Sequence, residues 1–182
     1  MSFLLRFARA VDAVNAWAAR FVGLLLVGMV VLGSYNAVAG YVQRSLGVQA
    51  TSNALLELQW YLFALVFMLG APHVLRRGEH VRVDVLYGGL PRAGKAWVDA
   101  LGALLFVVPF AVFGIWTSLP FALESLHRFE GSPDPGGLPR WPLKLLVPLA
   151  FAMLLLQGLA EGIRHAAILR GEGSEGAPPH AA

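Results

Sequence analysis

One uncharged run and the polar patch behind it decide how this chain folds. Residues 58–75 read LQWYLFALVFMLGAPHVL, and residues 76–84, RRGEHVRVD, follow at once. About 18 apolar residues are enough to cross the hydrocarbon core of a bilayer as a helix. The patch mixes acidic with basic residues, whereas a signal for membrane orientation needs only Lys and Arg. Together the two stretches predict a membrane helix followed by a segment with a role of its own.

The rest of the chain is equally apolar. Hydrophobic residues make up 57% of the 182 residues and charged residues 14%, whereas a soluble domain carries about 25% charged residues. Further uncharged runs cover residues 21–41, 100–123 and 145–160. Four such runs leave no surface for a soluble globule. The sequence therefore predicts an all-α integral membrane protein with four transmembrane helices.

The predicted organisation is one membrane domain over residues 1–170 and a disordered tail over residues 171–182, because the tail is rich in Gly, Ser, Glu, Pro and Ala. The four spans are expected at about residues 21–42, 54–75, 97–123 and 142–164. The first span resembles a signal peptide in its basic start, but its apolar run exceeds the usual length of about 7–15 residues. We expect an uncleaved first helix.

Short elements flank the spans. Apolar residues recur at helical spacing before the first span, which predicts an amphipathic interfacial helix; a frayed tail is the alternative. The residues of this stripe are Leu4, Phe7, Val11, Val14 and Ala18. We also expect residues 51–53 to cap the second span, a bend at Gly78, and a short interfacial helix over residues 84–90.

The distribution of positive charge predicts the orientation. Ten of the 14 Lys and Arg residues lie in the N-terminal segment, the second loop and the C-terminal segment. Since cytoplasmic loops carry the excess of Lys and Arg, both termini should be cytoplasmic. The net charge of +3 then reflects topology and anionic lipid rather than nucleic-acid binding.

The chain lacks the groups that independent transport or catalysis needs. Its acidic residues near the spans fall at the span ends, whereas ion pathways usually place ionisable groups within the membrane. There is no Cys, and His73 alone among the five histidines lies in an apolar run, without a second His to share a haem. We expect neither an enzyme nor a cofactor or metal site. The chain is predicted to be held by a partner.

Three motifs carry a resemblance to a known family. They are residues 57–63, ELQWYLF, residues 78–86, GEHVRVDVL, and residues 137–144, GLPRWPLK. Their order resembles the small, Q-type (DctQ-like) membrane subunit of tripartite ATP-independent periplasmic (TRAP) transporters. The likeness runs from the first span to about residue 164, and the middle motif is its most specific part.

The resemblance implies a secondary transporter of the bacterial inner membrane with three components. A periplasmic substrate-binding protein would deliver an organic acid, and a large membrane permease subunit would bind the substrate and the coupling sodium ions. The small subunit, with four helices in the lipid bilayer, would scaffold the large subunit and carry no cofactor. Two alternatives stay open: a membrane anchor subunit of a respiratory complex, and an autonomous small transporter that works as a homo-oligomer.

A set of residues in and near these motifs is the candidate for a partner interface or a polar network. They are Glu57, Gln59, Trp60, Arg76, Gly78, His80, Arg82, Asp84, Trp141, Lys144 and Glu161. In residues 76–84 valines alternate with charges, which favours a docked segment, whereas the alternative is a solvated loop that only signals topology.

Overall fold

The computed structural model describes residues 2–78 and 87–171. All regular structure in these residues is helical, which confirms the predicted fold class. The elements are α1 (Ser2–Leu46), α2 (Asn53–Arg77), α3 (Arg92–Gly102), a π-helical turn (Ala103–Val107), α4 (Val108–His127) and α5 (Trp141–Leu169).

Four helical stretches are long and apolar enough to cross a membrane. α1, α2 and α5 each form one of these stretches. The remaining stretch, between α2 and α5, runs from α3 through the π-helical turn into α4, over Ala93–His127. The chain therefore crosses back and forth as an antiparallel bundle. We call one end of this bundle the terminus end, because it contains the start of α1 and the finish of α5. The opposite end, with residues 47–52 and 128–140, is the loop end.

α1 is one helix, without a break between the predicted interfacial helix and the first span. Its 45 residues measure about 68 Å, which exceeds the roughly 40–45 Å of a bilayer with its headgroups. Of the predicted apolar stripe, Val11 and Ala18 are buried, whereas Leu4, Phe7 and Val14 are exposed; Ala8 joins the buried face. Ala8 and Val11 pack on Ala160 of α5. This segment therefore belongs to the bundle core and is not a separate surface helix.

Both ends of α2 follow the sequence prediction. Ser52 is its N-cap, with an Oγ that accepts a hydrogen bond from the Leu55 N–H at 3.3 Å. At the other end Gly78 has φ +64° and donates its N–H to the Leu75 carbonyl at 3.1 Å. Glycine suits this left-handed position because it has no Cβ. The predicted bend is present. Of the short helix expected over residues 84–90, residues 84–86 lie outside the described part of the chain, and so does the whole tail after Gly171.

α5 is the central helix, since it contacts each of the other helices and the π-helical turn. Its approach to the third span depends on small residues: Gly114 of α4 faces Phe151, and Gly158 faces Val107. A Cβ on Gly162 would lie 2.7 Å from Leu104 Cδ2. Small residues allow membrane helices to pack closely, and here they hold the second half of the bundle together.

Candidate functional site

A carboxylate of α1 joins three helices at the terminus end. Arg164 Nη1 of α5 donates to Asp12 Oδ2, and Arg76 Nε of α2 lies 3.5 Å from Asp12 Oδ1. Arg76 also donates through Nη1 to the Asp12 carbonyl oxygen at 3.3 Å. The Asp12 and Arg164 side chains are only 13% and 10% exposed. This ion pair is therefore largely shielded from solvent.

One stripe of α5 completes the network around Asp12. Arg164 Nη2 donates to Glu161 Oε1 at 2.5 Å, and Gln157 Nε2 donates to Asp12 Oδ1 at 3.2 Å and to Glu161 Oε1 at 3.3 Å. The Gln157 Oε1 accepts from Asn15 Nδ2 of α1 at 2.6 Å. Gln157 is fully buried. A buried polar group is costly unless it is hydrogen-bonded, and Gln157 meets this requirement through three side chains.

The same network extends to α3. His165 Nε2 lies 3.7 Å from Glu161 Oε2 and 3.9 Å from Asp99 Oδ2. Asp99 Oδ2 also accepts a hydrogen bond from the Tyr87 hydroxyl at 2.6 Å. We call the whole set the terminus-end cluster; its members are Asp12, Asn15, Arg76, Tyr87, Asp99, Gln157, Glu161, Arg164 and His165. It connects α1, α2, α3 and α5.

A second polar cluster closes the loop end. Glu57 of α2, which is 4% exposed, accepts hydrogen bonds from Ser132 Oγ and from the Leu138 N–H, each at 2.5 Å. The Tyr61 hydroxyl donates to the Pro139 carbonyl. A side chain at Gly137 would clash with Glu57, because a Cβ there would lie 2.7 Å from Glu57 Oε2. The Gly- and Pro-rich segment is thus fastened to the first turns of α2.

The start of α5 is fastened at the same end. Lys144 Nζ forms an ion pair with Glu130 and lies 4.1 Å from the Phe121 ring centroid. Ser125 Oγ donates to Glu130 Oε2 at 2.7 Å. The Lys144 ammonium and then the Ser125 hydroxyl lower the pKa of the Glu130 carboxyl below its usual value. Trp141 packs edge-to-face on another aromatic ring, that of Phe129.

A groove lies between α1 and α2 in the apolar part of the bundle. It is lined by Met29, Val30, Gly33, Ser34, Ala37, Leu56, Gln59, Trp60 and Phe63. Beside the groove, Asn36 Nδ2 donates to the Leu55 carbonyl and to Oε1 of the groove-lining Gln59, each at 3.1 Å. The buried Asn36 Oδ1 has no hydrogen-bond partner among the described residues.

The candidates from the sequence do not converge on one site. Arg76 and Glu161 belong to the terminus-end cluster, and Gln59 and Trp60 line the groove. Glu57, Trp141 and Lys144 make contacts within the chain at the loop end, and Gly78 ends α2. His80, Arg82 and Asp84 lie outside the described residues, so their network stays a prediction.

Sequence reasoning missed Asp12 and Asn15 on α1, and Gln157 and Arg164 on α5. One signal was available on each helix. Asp12 is the first acidic residue, and the next one in the chain is Glu57. On α5, Gln157, Glu161 and Arg164 are spaced by four and three residues, which places them on one helix face.

Metal binding is not indicated in the described parts of the chain. Across residues 2–78 and 87–171, no group of three or more His, Asp or Glu residues could hold a metal ion. Within each cluster, the polar side chains instead form hydrogen bonds and ion pairs with residues of the same cluster. Their arrangement stabilises helix packing and does not resemble a catalytic constellation.

These features define a class: a four-helix membrane protein whose polar networks lie at the two ends of the bundle. The family described as "Tripartite ATP-independent periplasmic transporters, DctQ component" matches residues 38–167. Because the match covers more than two thirds of the chain, this protein belongs to that family. The family is a transporter component and not an enzyme family. No curated protein and no solved structure matches the chain.

The family match begins inside α1. Asp12 and Asn15 therefore lie before the matched region, whereas Arg76, Gln157, Glu161 and Arg164 lie within it. The assignment favours the subunit role over the two alternatives, a respiratory anchor and an autonomous transporter.

Proposed function

We propose that this chain is the small permease subunit that scaffolds the large membrane subunit of a TRAP-type transporter. The transporter would take up an organic acid, delivered by a periplasmic binding protein and driven by sodium. Substrate and sodium would bind to the large subunit, and this chain would carry no cofactor. Family membership supports the proposal, as does the placement of both polar clusters at the ends of the bundle.

We assign the groove between α1 and α2 as the surface that contacts the large subunit. In the most apolar 18 residues of α1 only 6% of the stretch is buried, and the share is the same in α2. In α5 it is 33%. Lipid could cover such surfaces, but its tails cannot donate a hydrogen bond to Asn36 Oδ1, which lies beside the groove-lining Gln59. A buried acceptor without a donor costs about 1–3 kcal/mol. A helix of the large subunit with a polar side chain would satisfy it.

Aromatic side chains along α2 support the same surface. Trp60 and Phe63 are 40% and 58% exposed at the groove, and Phe67 continues the row with its ring stacked on that of Phe63. Exposed aromatic residues are enriched in the cores of protein interfaces. Tyr61, by contrast, is directed to the Pro139 carbonyl within the chain.

Filling the groove tests this proposal. Ala37 is exposed, so Ala37→Trp introduces bulk at the groove without disturbing the bundle core. We expect this variant to recover much less of the large subunit when tagged small subunit is purified from cells that express both, by about tenfold or more. The physical reason is that overpacking keeps a partner helix from closing on the groove.

Leu105→Trp is the matched control, because Leu105 is 62% exposed on the opposite half of the bundle. It should recover the large subunit as the parent chain does. If the parent chain recovers no large subunit, the proposed function fails. If Ala37→Trp and Leu105→Trp behave alike while the parent assembles, only the assignment of the groove fails.

Location and orientation are part of the proposal. We place the chain in the bacterial inner membrane with both termini in the cytoplasm, as the distribution of Lys and Arg indicates. The terminus-end cluster would then be cytoplasmic and the loop-end cluster periplasmic. We expect a C-terminal green fluorescent protein fusion to fluoresce and a C-terminal alkaline phosphatase fusion to be inactive. An active phosphatase without fluorescence would reverse the assignment.

A further inference from the structure

The two polar clusters locate the apolar layer of the bundle. On α2, 19 residues separate Glu57 from Arg76, which corresponds to about 29 Å of helix. On α5, 17 residues separate Lys144 from Glu161, or about 26 Å. Both lengths agree with the roughly 30 Å hydrocarbon core of a bilayer. Asp12 contacts Arg76 and therefore marks the edge of this layer on α1.

Arg20 lies inside the layer that these clusters mark. It is eight residues beyond Asp12, or about 12 Å nearer the loop end, and its side chain is exposed on the outside of the bundle. A charged side chain that faces hydrocarbon is costly and needs a partner or a route to the headgroups. Helical side chains tilt toward the N-terminus, which directs Arg20 toward the membrane edge.

Two further arginines extend the same face of α1 past the edge. Arg9 is 11 residues, or three helical turns, from Arg20, and Arg6 lies within about 60° of both around the helix. All three are exposed, and none forms an ion pair with a residue that the structure describes. Asp12 is the nearest acidic residue in sequence, and it is engaged with Arg164 and Arg76. The described part of the chain therefore leaves the positive charge of this face without a paired carboxylate.

An apolar strip runs beside these arginines. Trp17 and Phe21 are 68% and 42% exposed, and their rings are parallel with centroids 6.2 Å apart. Leu24 and Val31, one and three helical turns beyond Arg20 on the same face and nearer the loop end, are 72% and 64% exposed. A lipid acyl chain needs such a smooth apolar track below the point where its phosphate is held. The strip and the arginines thus match the two halves of one phospholipid.

We propose that the outer face of α1 binds an anionic phospholipid. The Arg20 guanidinium would hold the phosphate, Arg9 and Arg6 would add attraction at the headgroup level, and the acyl chain would lie on Phe21, Leu24 and Val31. An anionic headgroup is favoured over a zwitterionic one because, within residues 2–78 and 87–171, these three cations pair with no carboxylate. This surface is separate from the groove between α1 and α2.

Native mass spectrometry of the purified full-length chain tests the proposal. The chain is incubated with equal amounts of phosphatidylglycerol and phosphatidylcholine, and the lipids that remain bound are counted. We expect phosphatidylglycerol to be retained in preference, and Arg20→Gln to lower this preference about fivefold, the contribution of one basic residue at an anionic surface. Arg20→Lys should keep most of the preference, since it retains the charge.

Arg44→Gln is the matched control, because Arg44 is an exposed arginine of the same helix at the loop end. Equal losses in Arg44→Gln and Arg20→Gln would overturn the proposal, as would an unchanged preference in Arg20→Gln. A further outcome is that Arg20→Gln lowers recovery of the large subunit in nanodiscs made only of phosphatidylcholine. That result would assign this face to a protein partner and would also overturn the lipid site.

Discussion

Replacing Asp12 by Ala should lower the free energy of unfolding by about 3 kcal/mol, the lower end of the usual cost of removing one member of a buried ion pair. The loss leaves Arg164 with Glu161 alone and removes the charge that attracts Arg76. Gln157 also loses one acceptor. Unfolding of the purified chain by SDS in mixed micelles would measure the change. Asp12→Asn should lower the free energy of unfolding by less, because the Asn amide oxygen still accepts a hydrogen bond.

The control for this experiment is an ion pair of the same chain that is open to its surroundings. Arg128 and Glu124 lie one helical turn apart, with side chains 77% and 60% exposed. Pairs of this kind contribute about 0–1 kcal/mol. Glu124→Ala should therefore change stability by far less than Asp12→Ala. Equal effects of the two substitutions would show that the terminus-end cluster does not hold the helices together.

Replacing Glu57 by Ala should free the loop segment at the opposite end of the bundle. Its carboxylate accepts from Ser132 Oγ and from the Leu138 N–H, so both donors lose their partner. Hydrogen exchange of peptides that cover residues 131–139 should accelerate by about tenfold or more, since hydrogen bonds to a charged group are among the stronger ones. Glu57→Gln should give an intermediate rate.

Asp134→Ala provides the comparison within the same segment. Asp134 is exposed, and its contacts in the described structure are made by its backbone: its N–H donates to Ser132 Oγ, and its carbonyl accepts from the Gly137 N–H. Exchange in this variant should match that of the parent. If Glu57→Ala also exchanges at the parent rate, the loop keeps its conformation without the carboxylate, and the described role of Glu57 is wrong.

The elements of the fold could be read from the sequence because each depends on local chemistry. An uncharged run of about 20 residues predicts a span whatever its neighbours are, and Ser52 and Gly78 mark helix ends through their own backbone and side-chain geometry. The continuity of α1 was harder to predict. A helix that enters a membrane from an amphipathic segment has two outcomes, bending along the surface or continuing straight, and packing on Ala160 decides between them.

The clusters could not be predicted because they depend on helix register. Asp12 and Arg164 are 152 residues apart, and their meeting requires a particular alignment of α1 against α5. That alignment is set by the packing of small residues, which hydropathy does not report. Lys144 shows the same limit, because its ion pair with Glu130 and its position at the Phe121 ring depend on how the segment before α5 packs.

The residues of the three motifs do not all lie on the surface that we assign to the partner. Glu57 and Lys144 lie in motifs that resemble the family and were candidates for a partner interface or a polar network; their described contacts lie within the chain. Residues of the family-like motifs can therefore stabilise the segments that form a surface without lining that surface themselves. Of the residues that line the groove, Gln59, Trp60 and Phe63 lie in the first motif, whereas Met29 and Ala37 of α1 belong to none.

The thermal stability of the large membrane subunit, purified with and without this chain, tests the central claim most directly. A scaffold subunit that binds only the folded large subunit must stabilise it by mass action. We expect the large subunit to be monodisperse in complex with the parent chain and to melt about 5 °C or more above the subunit alone. An unchanged melting temperature, with no complex on size-exclusion chromatography, would contradict the account.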